Sequence, residues 1–363
     1  MADNRLTRRG FLQDTGLIIG SLSLTNFEIK ESFAQDTPSV YPSRKGGNKT
    51  PIIDFHTHYC PKEIYDKSPI KMPPSLATKL GDRMFNIERR LEEMDIGGID
   101  IAVLTNPLVL EADLEICKLN NNLTAQMIEK YPDRLTGLAH IPVTGGKKAL
   151  EEFHRAIKDL NLKGLGIGSW AGDNLMLDSK SMWPIYEKAS ELNVPIWVHP
   201  RPFKPIGYEY MKDYDFTLSL GHDFDLTFCV ARLINGRVFQ DFPGLKIVVA
   251  HLGGATPVLL GRLRLFQDRE IWGENPSFVS IELFDQYYNK IFFDTGGFGG
   301  WINALKSSLF ITRPQRILFG TDYPPEIREG KVMKRFIESI KELEIDNSAR
   351  QGILGENALR ILG

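Results

Sequence analysis

The sequence has few cysteines, no long apolar run and no excess of charge of one sign. Its 363 residues include three cysteines, an odd and sparse set that argues against a disulfide framework. No apolar stretch reaches the roughly 18 residues of a membrane-spanning helix, so no membrane span is expected. The formal net charge is −2, and no basic block follows the first residues, which argues against a nucleic-acid partner. The remaining composition, with 42% hydrophobic residues, is that of an ordinary globular protein.

Residues 1–34 resemble a twin-arginine export signal. Arg8 and Arg9 lie in the stretch TRRGFL and precede a weakly apolar run, and an Ala-x-Ala-like cleavage site follows at Ala34. Residues 35–50 then have the composition of a polar linker. The order of charge, apolar run and small residue favours an exported, periplasmic protein. The alternative is a cytoplasmic protein with a flexible tail.

Short apolar runs alternate with longer helix-like patterns from residue 51 to the C-terminus. Several runs are continuous in Val, Ile, Leu and Phe, which is typical of parallel strands that are covered on both faces. The eight predicted strands lie within residues 51–56, 98–106, 134–142, 163–169, 194–200, 245–253, 290–297 and 316–324. Eight such units in succession predict an α/β fold, the (β/α)8 TIM barrel, over residues 51–363.

Two histidines separated by one residue end the first apolar run, in the stretch DFHTHYC. Side chains alternate along a strand, so His56 and His58 point to the same side. Two imidazoles on one rigid support suit a metal ion, although an isolated H-x-H pair is more often structural. Cys60 has the same parity, but the strand is predicted to end before it, so we do not expect a thiolate ligand.

Three more candidate residues close later strands. His199 ends the fifth strand in WVHP, His251 ends the sixth in VVAHLGG, and Asp322 ends the eighth in LFGTDYP. Active sites of these barrels assemble at the C-terminal ends of the strands, so these side chains are expected to meet the first two histidines. The predicted ligands are His56, His58, His199 and Asp322. Three neutral imidazoles and one carboxylate suit one divalent ion, for which we expect zinc, with manganese as the alternative.

The chemistry of such a site requires a group that moves a proton. A catalytic metal site keeps one position for water, and coordination lowers the pKa of that water. His251 is the predicted acceptor of its proton, because a histidine near the water serves as a general base. His251 and Asp322 are therefore the predicted catalytic residues.

Six motifs spread over residues 52–363 resemble those of a known family. They are DFHTH, ICKLNNNLTAQMIEKYPDRLTGLAHIP, GLGIGS, VHP, FPGLKIVVAHLGGATPVLLGRL and FGTDYP. They resemble the amidohydrolase superfamily in its amidohydrolase-related branch, and within it the 2-amino-3-carboxymuconate-6-semialdehyde decarboxylases. The resemblance implies the same roles: the H-x-H pair, the strand-five histidine and the strand-eight aspartate bind the metal, and the strand-six histidine activates the metal-bound water.

The fourth strand bears on the number of metal ions. Many amidohydrolases hold two metals that are bridged by a carbamylated lysine at the end of this strand. Here the strand ends with Ser169 and Trp170, and Lys163 lies at its start, so a single ion is expected.

The loop after strand seven, DTGGFGGW, departs from the pattern of the decarboxylases. Its glycines either form a tight turn or let the backbone approach a substrate.

Three residues are predicted to contact the substrate, each with a structural alternative. Arg201 follows the fifth strand, where a guanidinium group binds a carboxylate or is simply a solvated loop charge. Trp170 either walls the pocket or packs under a loop. His140, near the end of strand three, either touches the substrate or is a barrel residue whose hydrogen bonds are made within the protein.

Asp54 is either a partner of a ligand histidine or a buried structural group.

Three classes of function fit these residues. The first is a lyase that removes CO2 without oxidation from a small unsaturated or aromatic carboxylate. The second is a hydrolase of a lactone, amide or related carbonyl bond. The third is a non-catalytic binding protein, against which the complete ligand set argues. The long resemblance favours the decarboxylase. No residue pattern identifies the exact substrate or sets the oligomeric state, and a homodimer stays open.

Overall fold

The computed structural model describes residues 50–363, except residues 173, 174, 203 and 215. The predicted signal segment, residues 1–34, and all of the linker except Thr50 lie outside the described residues, so both assignments stay predictions. None of the helices in the described part of the chain is long and apolar enough to cross a membrane.

Eight parallel strands follow one another along the chain at the predicted places. They are β1 Ile53–His58, β2 Ile101–Thr105, β3 Leu135–Gly137, β4 Leu165–Gly168, β5 Ile196–His199, β6 Ile247–Val249, β7 Phe292–Asp294 and β8 Ile317–Leu318. β1 runs two residues beyond its predicted end and so carries both histidines of the H-x-H pair. A short antiparallel pair, Trp170–Ala171 with Leu175–Met176, follows β4 and is not expected from the sequence.

The strands form two sheets that are joined at both ends. β1, β2 and β3 pair in that order, and β4, β5, β6, β7 and β8 form the second sheet. A parallel bridge links Ala139, beyond β3, to Leu165 of β4, and another links Thr57 of β1 to Tyr323, beyond β8. The order of strands therefore returns to β1 after β8. The predicted (β/α)8 barrel is confirmed.

Helices connect the strands. They are α1 Lys62–Lys67, α2 Pro74–Leu80, α3 Ile87–Gly97, α4 Leu114–Lys130, α5 Gly146–Lys158, α6 Trp183–Leu192, α7 His222–Asn235, α8 Val238–Asp241, α9 Thr256–Leu265, α10 Arg269–Trp272, α11 Ile281–Tyr288, α12 Ile302–Leu309, α13 Gly330–Lys341, α14 Asn347–Gln351 and α15 Asn357–Leu362. Side chains cap several of the helices. At the start of α3, for example, the side chain of Asn86 accepts a hydrogen bond from the backbone N–H of Arg89.

The main hydrophobic core combines strand residues such as Phe55 and Phe293 with helix residues such as Phe153, all fully or almost fully buried.

The segment between β1 and α3 contains α1 and α2 and has a small apolar core of its own. Ile64, Leu80 and Met84 pack there with Leu108, which follows β2, and all four side chains are buried. This packing fixes the segment at the C-terminal end of β1 and β2. It is therefore the part of the fold that surrounds the predicted site.

Candidate active site

β1 brings two histidines to the C-terminal end of the barrel. His56 and His58 are both buried, and their Nε2 atoms lie 3.2 Å apart. The two rings meet edge to face, with their centroids 4.8 Å apart. Both rings therefore lie on the same side of the strand, as the alternation of side chains predicts.

Three side chains from other strand ends lie against this pair. The ring centroid of His199 is 5.0 Å from that of His58, and the ring of His251 stacks on His56 at 5.3 Å. Asp322 Oδ1 is 2.9 Å from His58 Nε2. All five side chains are buried, and we call them the histidine–aspartate cluster. The structure thus brings together every predicted ligand and the predicted proton acceptor.

The backbone at two of these residues adopts an unfavourable conformation. The φ angles of His251, Leu252 and Asp322 are 52°, 53° and 51°, in the left-handed region that side chains other than glycine rarely adopt. The backbone N–H of Asp322 donates to the carbonyl of His56 at 2.9 Å, so strand pairing helps to hold this conformation. Non-glycine residues held in such a conformation concentrate at functional sites.

Burial and neighbouring charges set the protonation of the cluster. Burial disfavours the charged form of His56, but Asp294 and Asp322 outweigh it and raise its pKa to about 9. Burial and the neighbouring histidines lower the pKa of His199 well below its usual value. For Asp322, burial disfavours the carboxylate, yet the neighbouring histidines hold its pKa well below the usual range. The site therefore keeps an ionised carboxylate beside the neutral imidazole of His199, the forms in which both bind metals, whereas His56 has to release a proton when it binds an ion.

The donor atoms of the cluster fit a metal ion. The ligand atoms of His56, His58 and His199 lie within 4.8 Å of one another, and so do those of His56, His251 and Asp322. Asp322 Oδ1 and His251 Nε2 are buried and make no hydrogen bond of good geometry in the described part of the chain. Buried polar atoms normally have a partner, and an unpaired carboxylate oxygen among imidazoles is a donor that a divalent cation accepts.

Asp294, at the end of β7, holds His56 in place. Asp294 Oδ1 accepts a hydrogen bond from His56 Nδ1 at 2.9 Å, and Oδ2 accepts one from Trp197 Nε1 at 2.8 Å. Because Nδ1 carries the proton, His56 Nε2 is left for the cluster. The sequence analysis missed this residue, although an aspartate that closes the apolar run KIFFD was a usable signal.

The two other predicted histidine ligands have comparable supports. His58 Nδ1 lies 3.1 Å from Thr105 Oγ1, and His199 Nδ1 donates to the carbonyl of Pro200 at 2.8 Å. In each ring Nδ1 is engaged by the protein. In each ring, therefore, Nε2 is the nitrogen that remains for an ion.

Asp54 contacts the backbone of a ligand histidine and not its ring, because its Oδ1 accepts a hydrogen bond from the backbone N–H of His56 at 3.2 Å. Its carboxylate pairs with the buried guanidinium group of Arg90 and accepts a hydrogen bond from the backbone N–H of Thr321 at 2.9 Å. Of the two alternatives for this residue, the buried structural one describes its contacts. Cys60 is also buried, and its thiol points to the carbonyl of Pro61 at 3.6 Å, away from the cluster.

The three predicted substrate contacts have other partners. The guanidinium group of Arg201 pairs with Glu111 and lies 3.9 Å from the centroid of the Trp170 ring. His140 is buried, and its Nε2 accepts a hydrogen bond from the backbone N–H of Asn106 at 3.0 Å. None of the three is among the described residues that line the active-site cavity. Their contact with a substrate stays a prediction.

An active-site cavity opens onto the cluster and is largely apolar. His58, His199, His251 and Asp322 contribute to its lining. Its apolar wall includes Met72, Leu76, Leu80, Met84, Leu108 and Leu218. His222 and Glu326 add two polar side chains, and the described lining contains neither lysine nor arginine. Such a pocket fits a small ligand with an apolar body and polar groups directed at the cluster. The sequence analysis missed His222 and Glu326 because neither directly ends a strand.

Comparisons with known proteins agree with this architecture. A family model described as amidohydrolase matches residues 53–363. A 2-amino-3-carboxymuconate-6-semialdehyde decarboxylase of Dictyostelium discoideum is 27% identical, over 86% of this chain and 91% of that protein. A gamma-resorcylate decarboxylase of a Polaromonas species is 26% identical, over 76% of this chain and 88% of that protein.

A solved structure has the same fold. It is a dihydroxybenzoic acid decarboxylase from Polaromonas with bound manganese and the inhibitor 2-nitroresorcinol. It superposes with a TM-score of 0.75 at 23% identity and covers 86% of this chain and 97% of that one. The family model spans the whole barrel with all five cluster residues, as the resemblance of the motifs predicts. The chain therefore belongs to the amidohydrolase family.

Proposed function

We propose that this protein is a metal-dependent, non-oxidative decarboxylase of a small aromatic or unsaturated carboxylate. The observation that carries the proposal is an apolar cavity that ends on a buried cluster of four histidines and one aspartate. The two relatives named above are decarboxylases, and each aligns with more than two thirds of this chain, which supports the same class of reaction here.

We infer that one divalent ion is held by four residues, namely His56, His58, His199 and Asp322. The donor set suits zinc, and the manganese in the Polaromonas structure makes manganese the alternative. When bound, the ion supplies positive charge that polarises substrate oxygens and acidifies water.

Elemental analysis of protein purified without chelator tests this inference. We expect about one equivalent of a single transition metal, whose identity decides between zinc and manganese. The variant His56→Ala should retain far less metal, because it removes one ligand from the shell. Less than about half an equivalent in the unaltered protein, even after reloading, would contradict a metal site.

His251 is the residue placed to move a proton. Its Nε2 lies 3.4 Å from Asp322 Oδ2, and its ring lies in the lining of the cavity. A proton delivered to the carbon that bears the carboxylate allows the bond to the carboxylate to break, and the electron pair of that bond returns to the conjugated system. The products are CO2 and one new C–H bond. The apolar wall favours this step, because the charge of the carboxylate is lost as neutral CO2 forms.

The reaction is tested on metal-loaded protein with a panel of carboxylated aromatics and lactones. A decarboxylase releases CO2 into the headspace, and in heavy water it places one deuterium on the carbon that lost the carboxylate. A hydrolase instead places labelled water oxygen in a new carboxylate without release of CO2. A hydratase adds water across a double bond, also without CO2. Either of the last two outcomes would overturn the proposed reaction.

We also propose that the protein is exported folded through the twin-arginine route, with cleavage near Ala34. The support is the sequence around Arg8 and Arg9, and a pathway for folded proteins suits an enzyme that is loaded with metal before export. Fractionation of cells that express the full chain should find it in the periplasm. The variant Arg8→Lys, Arg9→Lys should stay in the cytoplasm. Retention and lack of cleavage in both forms would contradict export.

A further inference from the structure

The first residue of α7, His222, lies in the wall of the active-site cavity but apart from the predicted ligands. Its ring centroid is 6.2 Å from that of His199 and 6.3 Å from that of His251. It belongs to neither group of side chains whose ligand atoms come within 4.8 Å of one another. His222 and His251 both line the cavity, so a ligand that fills it would contact both rings, and His222 is placed for substrate rather than metal.

The hydrogen bond of one ring nitrogen fixes the role of the other. His222 Nε2 lies 3.1 Å from the carbonyl oxygen of Pro202, and because a carbonyl only accepts, Nε2 carries the hydrogen. The His222 ring is buried, which disfavours its charged form. In a neutral ring with a protonated Nε2, Nδ1 is a hydrogen-bond acceptor. Nδ1 accepts no hydrogen bond from the residues that the structure describes.

The segment before His222 positions the ring firmly. Residues Thr217–Gly221 form a single π-helical turn that leads into α7, and such turns are frequent at functional sites. This turn and the start of α7 place two side chains, Leu218 and His222, in the cavity wall. A Cβ atom at Gly221 would lie 2.3 Å from Pro205 Cγ, so the turn packs tightly against the loop that follows β5. The same loop supplies the carbonyl of Pro202, and the ring is therefore oriented before any substrate binds.

We propose that His222 is a specificity-determining residue, whose Nδ1 accepts a hydrogen bond from a donor on the substrate, such as a ring hydroxyl group. This inference rests on the proposed function, since it concerns the same cavity and an aromatic carboxylate within it. Apart from the cluster itself, the described polar lining consists of His222 and Glu326, of which only His222 is buried. A ligand that fills the cavity excludes water from Nδ1, and an acceptor that then lacks a donor is costly, so the site selects against analogues that lack the donor.

Calorimetric titration of manganese-loaded protein tests the proposal. The probes are benzoate, its three monohydroxy isomers and the corresponding methoxybenzoates, which lack the hydroxyl donor. We expect one hydroxybenzoate isomer to bind roughly 10- to 100-fold more tightly than benzoate and than its own methoxy analogue. In His222→Leu this preference should fall below about threefold. In His222→Asn, whose Oδ1 stands near the position of Nδ1, most of the preference should return.

Glu326→Gln is the matched control, because it alters the other polar residue of the wall and should keep the full preference. Metal content and circular dichroism establish that each variant is folded. If His222→Leu does not fold, His222→Met makes the same comparison with an apolar side chain of similar length. Unchanged discrimination in the apolar variant, loss of discrimination in Glu326→Gln alone, or no discrimination in the unaltered protein would each overturn the role of His222.

The binding assay separates this inference from the proposed reaction. If the unaltered protein discriminates and the apolar variant does not, but no CO2 is released, then the decarboxylase assignment is wrong and the role of His222 stands. If CO2 is released and the apolar variant discriminates as well as the unaltered protein, then the role of His222 is wrong and the reaction stands.

Discussion

Each predicted histidine ligand uses one ring nitrogen for the protein and leaves the other for the site. His56 Nδ1 donates to Asp294, and His199 Nδ1 donates to a backbone carbonyl. The partners differ in charge, so the imidazole with a carboxylate partner is the stronger electron donor. At the residue scale, Asp294 is therefore expected to govern how tightly the site holds its ion.

The substitution Asp294→Asn tests this expectation. Asparagine keeps the size of the side chain but loses its negative charge, and it offers one acceptor oxygen for the two donors of His56 and Trp197. We expect metal affinity to fall roughly 10- to 100-fold, the usual cost of altering a residue that supports a ligand. Competition against a chelator of known affinity measures it. Asp285→Asn, on a surface aspartate paired with Arg264, is the control and should leave affinity unchanged. Equal affinity in both variants would contradict the role of Asp294.

His251 is expected to act in the reaction without being required for the metal. In His251→Ala the four predicted ligands remain, so the metal content should stay near that of the unaltered protein. The turnover number kcat should fall roughly 100-fold or more, the scale of general acid–base catalysis. His154→Ala, on an exposed histidine of α5, is the control and should keep both metal and turnover. Near-normal turnover in His251→Ala would remove this residue from the mechanism.

The cluster was predictable from sequence because its residues obey simple rules of position. His56 and His58 follow the alternation of a strand, and His199 ends another strand. Asp294 obeys the same rule, because it ends β7, and it was therefore equally predictable although it was missed. His222 obeys no such rule, because a π-helical turn and the start of a helix place it. Contacts between segments decide such positions, and a single sequence does not display them.

At the scale of elements, the glycine-rich loop after β7 packs its backbone onto the catalytic rings. A Cβ atom at Gly296 would lie 2.5 Å from His56 Nδ1, and one at Gly297 would lie 2.3 Å from His251 Cγ. Gly297 also has a φ of 81°, which a side chain disfavours. The glycines therefore permit a close approach of backbone to two histidines, in addition to making a turn. Their part in binding a substrate stays a prediction.

Substitution at Gly297 should disturb the catalytic ring specifically. Gly297→Ala adds a methyl group where His251 lies, so the ring must move and kcat should fall roughly tenfold or more, since small misplacements of catalytic groups are costly. Gly299→Ala is the matched control. Its φ of 57° carries a similar backbone strain, but its added Cβ would meet only Glu326 Oε2, at 3.6 Å. Thermal unfolding should show a loss of stability from backbone strain in both, and a larger loss in Gly297→Ala, whose Cβ also meets the His251 ring. Equal kcat in the two variants would contradict the role of the close approach.

The strands were easier to predict than the segments around the site. Short apolar runs place all eight strands, and several of them are continuous because parallel strands are covered on both faces. The helices α1 and α2, with six and seven residues, are too short to show a helical period. They owe their stability to packing against residues after β2, such as Leu108. Since these segments wall the cavity, the details of substrate recognition are the part that the sequence predicts least.

At the scale of the whole molecule, the seam between β1 and the segment after β8 closes the barrel. Asp54 lies at this seam, fully buried, with Arg90 of α3 and the backbone of Thr321 as partners. The guanidinium carbon of Arg90 lies 4.5 Å from the centroid of the Tyr323 ring. One carboxylate thus joins the first strand, the first long helix and the last strand end. The histidine–aspartate cluster spans the same seam, because His56 and Asp322 lie on its two sides.

Loss of the charge of Asp54 should therefore weaken the whole fold. Asp54→Asn leaves the buried guanidinium group of Arg90 without its counter-charge, and breaking a buried ion pair in this way costs about 3–5 kcal/mol. We expect the free energy of unfolding of the metal-free protein, measured in urea, to fall by that amount. Asp82→Asn is the matched control, since Asp82 pairs with Arg89 of the same helix but at the surface, where solvent weakens the interaction. A loss below about 1 kcal/mol in Asp54→Asn would mean that the strand pairing alone closes the barrel.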